Sequence, residues 1–237
     1  MKDRLIVALD TYDLRKAEHL VDCLKDTVST FKIGMELFYS VGPKAVEMVH
    51  DKGCRVFLDL KFHDIPNTVA GAARAAAKLG VFMFNVHAAG GSAMMKAAVE
   101  AAREVSGKQQ KNLPKIIAVT LLTSIDEKNL KTEIGINKKV EQQVSEWAVL
   151  AQASGLAGVV ASPREIQTIR NTCSSEFIIV TPGIRPSWAA RGDQKRVMTP
   201  AEAIRLGADY IVVGRPIIQA DDPQEAALKI MREMEEF

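Results

Sequence analysis

Aspartate and lysine alternate in one short stretch of the sequence, Leu58-Asp59-Leu60-Lys61-Phe62-His63-Asp64-Ile65-Pro66-Asn67-Thr68. If it begins as a strand, side chains two apart share a face, so Asp59 and Lys61 point together while Leu60 points away. Asp64 falls in the loop that follows. With Lys32 nearby, the four would make an alternating Lys–Asp–Lys–Asp array. A lysine flanked by carboxylates suits proton donation, whereas a Schiff base needs a neutral amine with a lowered pKa. The competing reading is a salt-bridge network that only ties strand ends together.

A second set of residues has the makings of an anion site. Pro182-Gly183-Ile184-Arg185 and Gly214-Arg215-Pro216 each place arginine beside glycine. Glycine lets backbone N–H groups approach an anion closely, and the guanidinium can chelate it. From Pro182 to Thr199, Arg185, Arg191, Lys195 and Arg196 stand against Asp193, and 4 − 1 leaves +3. Gly-Arg alone is a weak signal, and a solvated loop is the plainer reading of it. His63 and His87 lie in different segments without metal-ligand spacing and read as hydrogen-bonded scaffold. Thr120 and Thr123 could bond a ligand or simply suit a strand end.

These residues need elements to hold them. Apolar, β-branched runs occur at 5–9, 30–33, 55–60, 81–86, 115–119, 158–160, 177–180 and 210–213, which gives eight strands. Helical patterns alternate with them at 14–24, 43–50, 67–78, 92–106, 139–153, 163–170, 200–206 and 223–235. Four of these helices open with a proline, which lacks the N–H that a first helical position leaves unpaired. Asp222 precedes Pro223 as an N-cap. Parallel strands buried on both faces read as continuous apolar runs, as in Tyr210-Ile211-Val212-Val213. Eight βα units predict an α/β fold, a (β/α)8 TIM barrel built as one domain over 1–237. An open doubly wound sheet would carry a glycine fingerprint after the first strand, and Asp10-Thr11-Tyr12-Asp13 has none. In a barrel the C-terminal ends of the strands form the functional mouth. Those ends are Asp10, Lys32, Asp59 with Lys61, His87, Thr120 to Thr123, Pro182 and Gly214-Arg215. The connection 182–199 is long enough to be a lid.

Composition narrows the partners. The 237 residues carry 31 Lys+Arg and 29 Asp+Glu, a net charge of +2 without basic blocks, so nucleic acid is not expected as a partner. No apolar run is long enough to span a bilayer, and Leu5–Leu9 is too short for a signal-peptide core. Cys23, Cys54 and Cys173 form no CxxC pair, which disfavours disulfides and zinc and favours a reducing, cytoplasmic setting.

The run Asp59-Leu60-Lys61-Phe62-His63-Asp64-Ile65-Pro66-Asn67-Thr68-Val69 closely resembles the signature of the bacterial orotidine 5′-phosphate decarboxylase family. Val7-Ala8-Leu9-Asp10, Phe31-Lys32-Ile33-Gly34, Asn85-Val86-His87-Ala88, Val119 to Ser124, Thr181 to Arg185 and Ile211 to Ile217 match in the same order. The resemblance implies decarboxylation of orotidine 5′-phosphate to uridine 5′-phosphate (UMP) in pyrimidine synthesis, with neither cofactor nor metal. It implies that Lys61 stabilises and protonates the C6 carbanion and that Asp59 lies against the substrate carboxylate. Asp10 and Lys32 would meet the ribose, Thr123 the pyrimidine, and Arg185, Gln194, Gly214 and Arg215 the phosphate under the closing 182–199 loop, with Pro182 also in the substrate-binding set. Asp64, Ile65 and Thr68 would reach into the partner's site in a homodimer. The nearest rivals are metal-dependent sugar-phosphate enzymes such as hexulose-phosphate synthase, which share Asp-x-Lys-x-x-Asp but resemble Asp-Gly or Asp-Ala where this chain has Asp64-Ile65-Pro66.

Overall fold

The computed structural model describes residues 1–110, 112–189 and 198–236. Eight parallel strands close into a barrel in chain order: β1 (Leu5–Ala8), β2 (Thr30–Gly34), β3 (Arg55–Phe62), β4 (Met83–His87), β5 (Lys115–Val119), β6 (Gly158–Val160), β7 (Ile178–Thr181) and β8 (Tyr210–Val213). Closure comes from β8 pairing back onto β1, with Leu5 opposite Ile211 and Val7 opposite Val213. The fold is a (β/α)8 barrel.

The helices on the outside are α1 (Leu14–Leu24), α2 (Met35–Val41), α3 (Lys44–Asp51), α4 (Pro66–Leu79), α5 (Gly91–Gln109), α6 (Glu127–Thr132), α7 (Val140–Ala153), α8 (Ile166–Thr172), α9 (Pro200–Arg205), α10 (Arg215–Ile218) and α11 (Pro223–Glu233). Local chemistry sets their starts. Asp13 accepts from the Arg15 amide at 2.8 Å and Asp222 from the Glu225 amide at 3.0 Å, each satisfying a donor left orphaned by the first turn. Thr199 and Glu202 form a reciprocal capping box ahead of α9.

Several boundaries differ from the sequence reading. Pro43 caps α3 from outside rather than opening it. The segment 163–170 splits into a 3₁₀ turn, Pro163–Glu165, and then α8, because Ser162 accepts from the Arg164 amide and tightens the first turn. Helices α2, α6 and α10 were not anticipated. They have only seven, six and four residues, too few for a helical apolar period to show.

Alternation along the strands makes two cores. Ile6, Ala8, Phe57, Met83, Ile117, Val180 and Val212 fill the barrel interior. Their neighbours in sequence, such as Leu5, Val7, Val56, Leu58, Val213 and Ile211, pack outward against the helices in a larger cluster. Gly158 lets β6 close on β7: a Cβ there would lie 2.2 Å from the Ile178 carbonyl oxygen, a backbone contact that cannot move aside. Among the described residues no helix is long and apolar enough to cross a membrane.

Candidate active site

The interior alternation carries straight into the site. Phe57, Asp59 and Lys61 point inward from β3 and line a cavity of about 210 Å³ at the C-terminal mouth, while Leu60 is buried in the outer layer. Lys32 comes in from β2, and Thr123 and Pro182 from the segments after β5 and β7. The remaining wall is apolar, with Val119, Leu121, Val160, Ala161 and Val212. Such a surface excludes water and strengthens any charge interaction at its edge.

Within one chain the charged groups alternate as Asp10–Lys32–Asp59–Lys61. Lys32 Nζ lies 3.1 Å from Asp10 Oδ1 and 3.4 Å from Asp59 Oδ2, and Lys61 Nζ lies 2.7 Å from Asp59 Oδ1. Spacing predicts Asp64 as the fourth member; in the single chain that place belongs to Asp10. Asp64 is exposed in the loop after β3 and accepts from the Ile65 amide at 2.6 Å. It shares a separate surface depression with His63, Ile65, Pro66, Ala89 and Gly90, and Ile65 is 66% exposed. Thr68 is exposed on the first turn of α4. Three residues expected to act together, Asp64, Ile65 and Thr68, therefore form an outward-facing group.

Burial alone would push the Asp59 carboxyl up, but the Lys32 and Lys61 charges outweigh it, aided by hydrogen bonds from Lys61 and Asn85. The carboxyl is held below its ordinary range. Burial likewise works against the Lys32 ammonium, yet Asp59 and Asp10 hold its pKa above the usual lysine value. Both groups are thus charged at neutral pH. His87 goes the other way: burial, then the nearby His63 and Lys61 charges, lower it to about 4. Its ring lies 5.2 Å from that of His63, tilted by 34° against it beside the array. Among the described residues no group of three or more His, Cys, Asp or Glu could hold a metal ion.

The two Gly-Arg segments come near the same mouth. A Cβ on Gly214 would lie 3.2 Å from Asp10 Oδ2, so the glycine lets this segment pass beside the array without pressing on the Asp10 carboxylate. Arg215 is exposed at the start of α10. Arg185 is buried, and its Nη1 donates to the Ile184 carbonyl. The ends of the 182–199 connection are tied together by the bridge of Ile184 with Met198, where the Arg185 amide donates to the Met198 carbonyl at 3.0 Å. Gln194 lies outside the described residues, as do Arg191, Asp193, Lys195 and Arg196. Thr120 turns its hydroxyl to the Val160 carbonyl at 3.1 Å, a strand-end role.

Neither Asn85 nor the apolar wall stands out in the sequence as part of a site. The only signal for Asn85 is a carboxamide inside the otherwise apolar run 81–86.

An apolar cavity at the C-terminal mouth of a closed barrel, edged by half-buried lysines and a half-buried aspartate, defines a (β/α)8-barrel enzyme. The family model described as orotidine 5′-phosphate decarboxylase / HUMPS family matches residues 3–230. A protein of Moorella thermoacetica named orotidine 5′-phosphate decarboxylase is 59% identical over 234 residues, covering 99% of this chain and 93% of the relative. One of Syntrophomonas wolfei with the same name is 52% identical, covering 99% of both chains. The solved structure of orotidine 5′-phosphate decarboxylase from Lactobacillus acidophilus superimposes with a TM-score of 0.85 at 38% identity, over 98% of each chain. The chain belongs to the orotidine 5′-phosphate decarboxylase / HUMPS family.

Proposed function

We propose that this chain decarboxylates orotidine 5′-phosphate to UMP, as a cytoplasmic enzyme of pyrimidine synthesis. The observation that carries the reading is the Lys61 ammonium, paired with Asp59 at 2.7 Å and lining an apolar cavity. Relatives at more than half identity carry the decarboxylase name, which favours this reading over the sugar-phosphate enzymes. The C6–carboxylate bond breaks, CO₂ leaves, and the electron pair stays on C6. That carbanion has no good route for delocalisation into the ring, so a fixed positive charge beside it is the main source of stabilisation. Lys61 then gives a proton from Nζ to C6 and is reprotonated from solvent. The reading requires neither cofactor nor metal.

Asp59 faces the substrate carboxylate and holds both lysines in place. Asp10 and Lys32 bind the ribose hydroxyls, and Thr123 hydrogen-bonds the pyrimidine beside Pro182. Arg185, Gln194, Gly214 and Arg215 serve the phosphate. Asp64, Ile65 and Thr68 complete the site of a second copy in a homodimer, in keeping with their exposure on the single chain.

The test is ultraviolet absorbance of orotidine 5′-phosphate mixed with chelator-treated protein. Conversion to the UMP spectrum with release of CO₂ is the expected result. A folded protein that leaves the spectrum unchanged overturns the reading in favour of a metal-requiring relative or a silent binder, and turnover that returns only with a divalent metal overturns the metal-free chemistry.

Arg215→Ala separates the phosphate contact from the chemistry. A charge-assisted hydrogen bond contributes ~1.5–3 kcal/mol, so kcat/KM for orotidine 5′-phosphate should fall about 10- to 100-fold. The slow turnover of orotidine, which lacks the phosphate, should change far less. Equal losses on both substrates would remove Arg215 from the phosphate site.

A further inference from the structure

Asn85 sits inside β4 at 1% exposure, directly behind the catalytic array. Strands β3 and β4 pair regularly at Phe57 with Met83 and at Leu58 with Phe84, but the next pair is Phe62 with Val86. Four steps of β3 (62 − 58) thus run against two of β4 (86 − 84), and the ladder is interrupted where Asp59, Leu60 and Lys61 lie. Asn85 stands opposite the interruption and its side chain replaces the missing ladder. Its Oδ1 accepts from the Lys61 amide at 2.8 Å, and its Nδ2 donates to Asp59 Oδ1 at 2.6 Å. The two partners fix the amide's orientation, because a backbone N–H can only donate and a carboxylate can only accept.

The consequence is mechanical. Lys61 has φ of +53°, a left-handed conformation that costs a non-glycine residue free energy and persists only when neighbours hold it. The Asn85 carboxamide bonds the amide of that residue. It also sets the Asp59 carboxylate so that Oδ1 meets Lys61 Nζ while Oδ2 faces Lys32. One buried side chain thereby fixes both the backbone and the counter-ion of the proton donor.

We propose that Asn85 is a positioning residue for the decarboxylation: it aims the Lys61 ammonium into the cavity by holding Lys61's backbone and Asp59's carboxylate together. The inference rests on the decarboxylase reading above. Asn85 acts through Asp59 and Lys61, so losing it should misplace the ammonium in the transition state while leaving phosphate and ribose contacts intact. In Asn85→Ala, kcat should fall on the order of 100-fold, the effect of about an ångström of misplacement, with KM changed less than about 3-fold.

Asn85→Asp gives a readout that a merely structural role would not move. The introduced carboxyl has the size of the amide and can still accept from the Lys61 N–H. It can donate to Asp59 only when protonated. The groups facing it are Asp59 and Lys61 on β3, Lys32 on β2, His87 on β4 and His63 in the loop after β3. Two carboxyl groups in hydrogen-bond contact cannot both ionise freely, so they retain a proton to higher pH than either would alone. The ratio of kcat for Asn85→Asp to that of the parent chain should therefore be highest at low pH and fall as pH rises and that proton is lost. Taking the ratio removes the parent's own pH dependence.

Both variants are assayed on the full-length protein, with folding checked by circular dichroism and UMP binding by calorimetry. If Asn85→Ala does not fold, Asn85→Asp alone decides the matter. A pH-independent ratio, or a folded Asn85→Ala with kcat within about 3-fold of the parent, overturns the positioning role. A parent chain without activity on orotidine 5′-phosphate overturns the decarboxylase reading itself, an outcome distinct from indifferent variants of an active parent.

Discussion

Lys61→Ala should abolish turnover of orotidine 5′-phosphate by about 10⁴-fold or more while UMP still binds. Two separate effects are lost together. Proton donation by a positioned group contributes ~10²–10⁴-fold. A preorganised charge beside the developing carbanion contributes a further ~10²–10³-fold, and the two need not multiply fully because one ammonium supplies both. UMP carries neither the carboxylate nor the carbanion, so its affinity depends on ribose and phosphate contacts that the substitution leaves in place. Lys61→Gly sharpens the test. Glycine accepts the left-handed φ of +53° without the Cβ clash, and relief of that strain offsets the lost Lys61–Asp59 pair. The glycine variant should be as inactive as the alanine variant but melt at a higher temperature than it. That pattern would show a strained backbone retained for placement of the ammonium rather than for stability. Substantial turnover in either variant, followed by absorbance, would remove Lys61 from the reaction.

The barrel was legible because parallel strands enclosed on both sides must be apolar along their whole length. Lys115–Val119, Gly158–Val160 and Tyr210–Val213 therefore coincide with their runs at both ends. The inward positions of Asp59 and Lys61 were legible for a related reason, since period-two alternation puts them on the face of Phe57. The path beyond Lys61 was not. Lysine carries no sequence preference for positive φ, so nothing announced that β3 would bulge there, run on to Phe62 and turn Asp64 outward. Asn85 was hidden for a similar reason, because its value lies in bonds to residues 24 and 26 positions away. Asp10 was placed at the mouth by its position after β1, but its ion pair with Lys32 required the register of β1 on β2, where Ala8 lies opposite Lys32. Strand order and alternation are local properties of a sequence; the fourth member of a charged array depends on which neighbours the closed barrel brings together.

Asp59→Asn should weaken the fold as well as the reaction, and pH should report it. Asp59 is the shared counter-ion of Lys32 and Lys61, with its side chain only 13% exposed. Breaking a fully buried ion pair by removing one partner costs ~3–5 kcal/mol, and the residual solvent contact here together with Asp10 beside Lys32 reduces this to about 2–3 kcal/mol. For a chain of this length that corresponds to a fall in Tm of roughly 4–12 °C. The neutral amide cannot keep two ammonium groups in register, so kcat should fall by at least about 10³-fold through loss of the placed charge. The pH dependence follows from the direction of the shift. Asp59's folded pKa lies below its ordinary 3.8, so its contribution is present above about pH 4 and is lost as pH falls through the depressed value. Lys32's folded pKa lies above its ordinary 10.5, so its contribution is present below that and is lost as pH rises through the raised value. The stability difference between the parent and Asp59→Asn, measured by urea unfolding, should hold across neutral pH and close as pH drops below 4. A gap that stays constant down to pH 2 would mean that the carboxylate charge does not hold the array together, and an unchanged Tm at pH 7 would deny it any stabilising part.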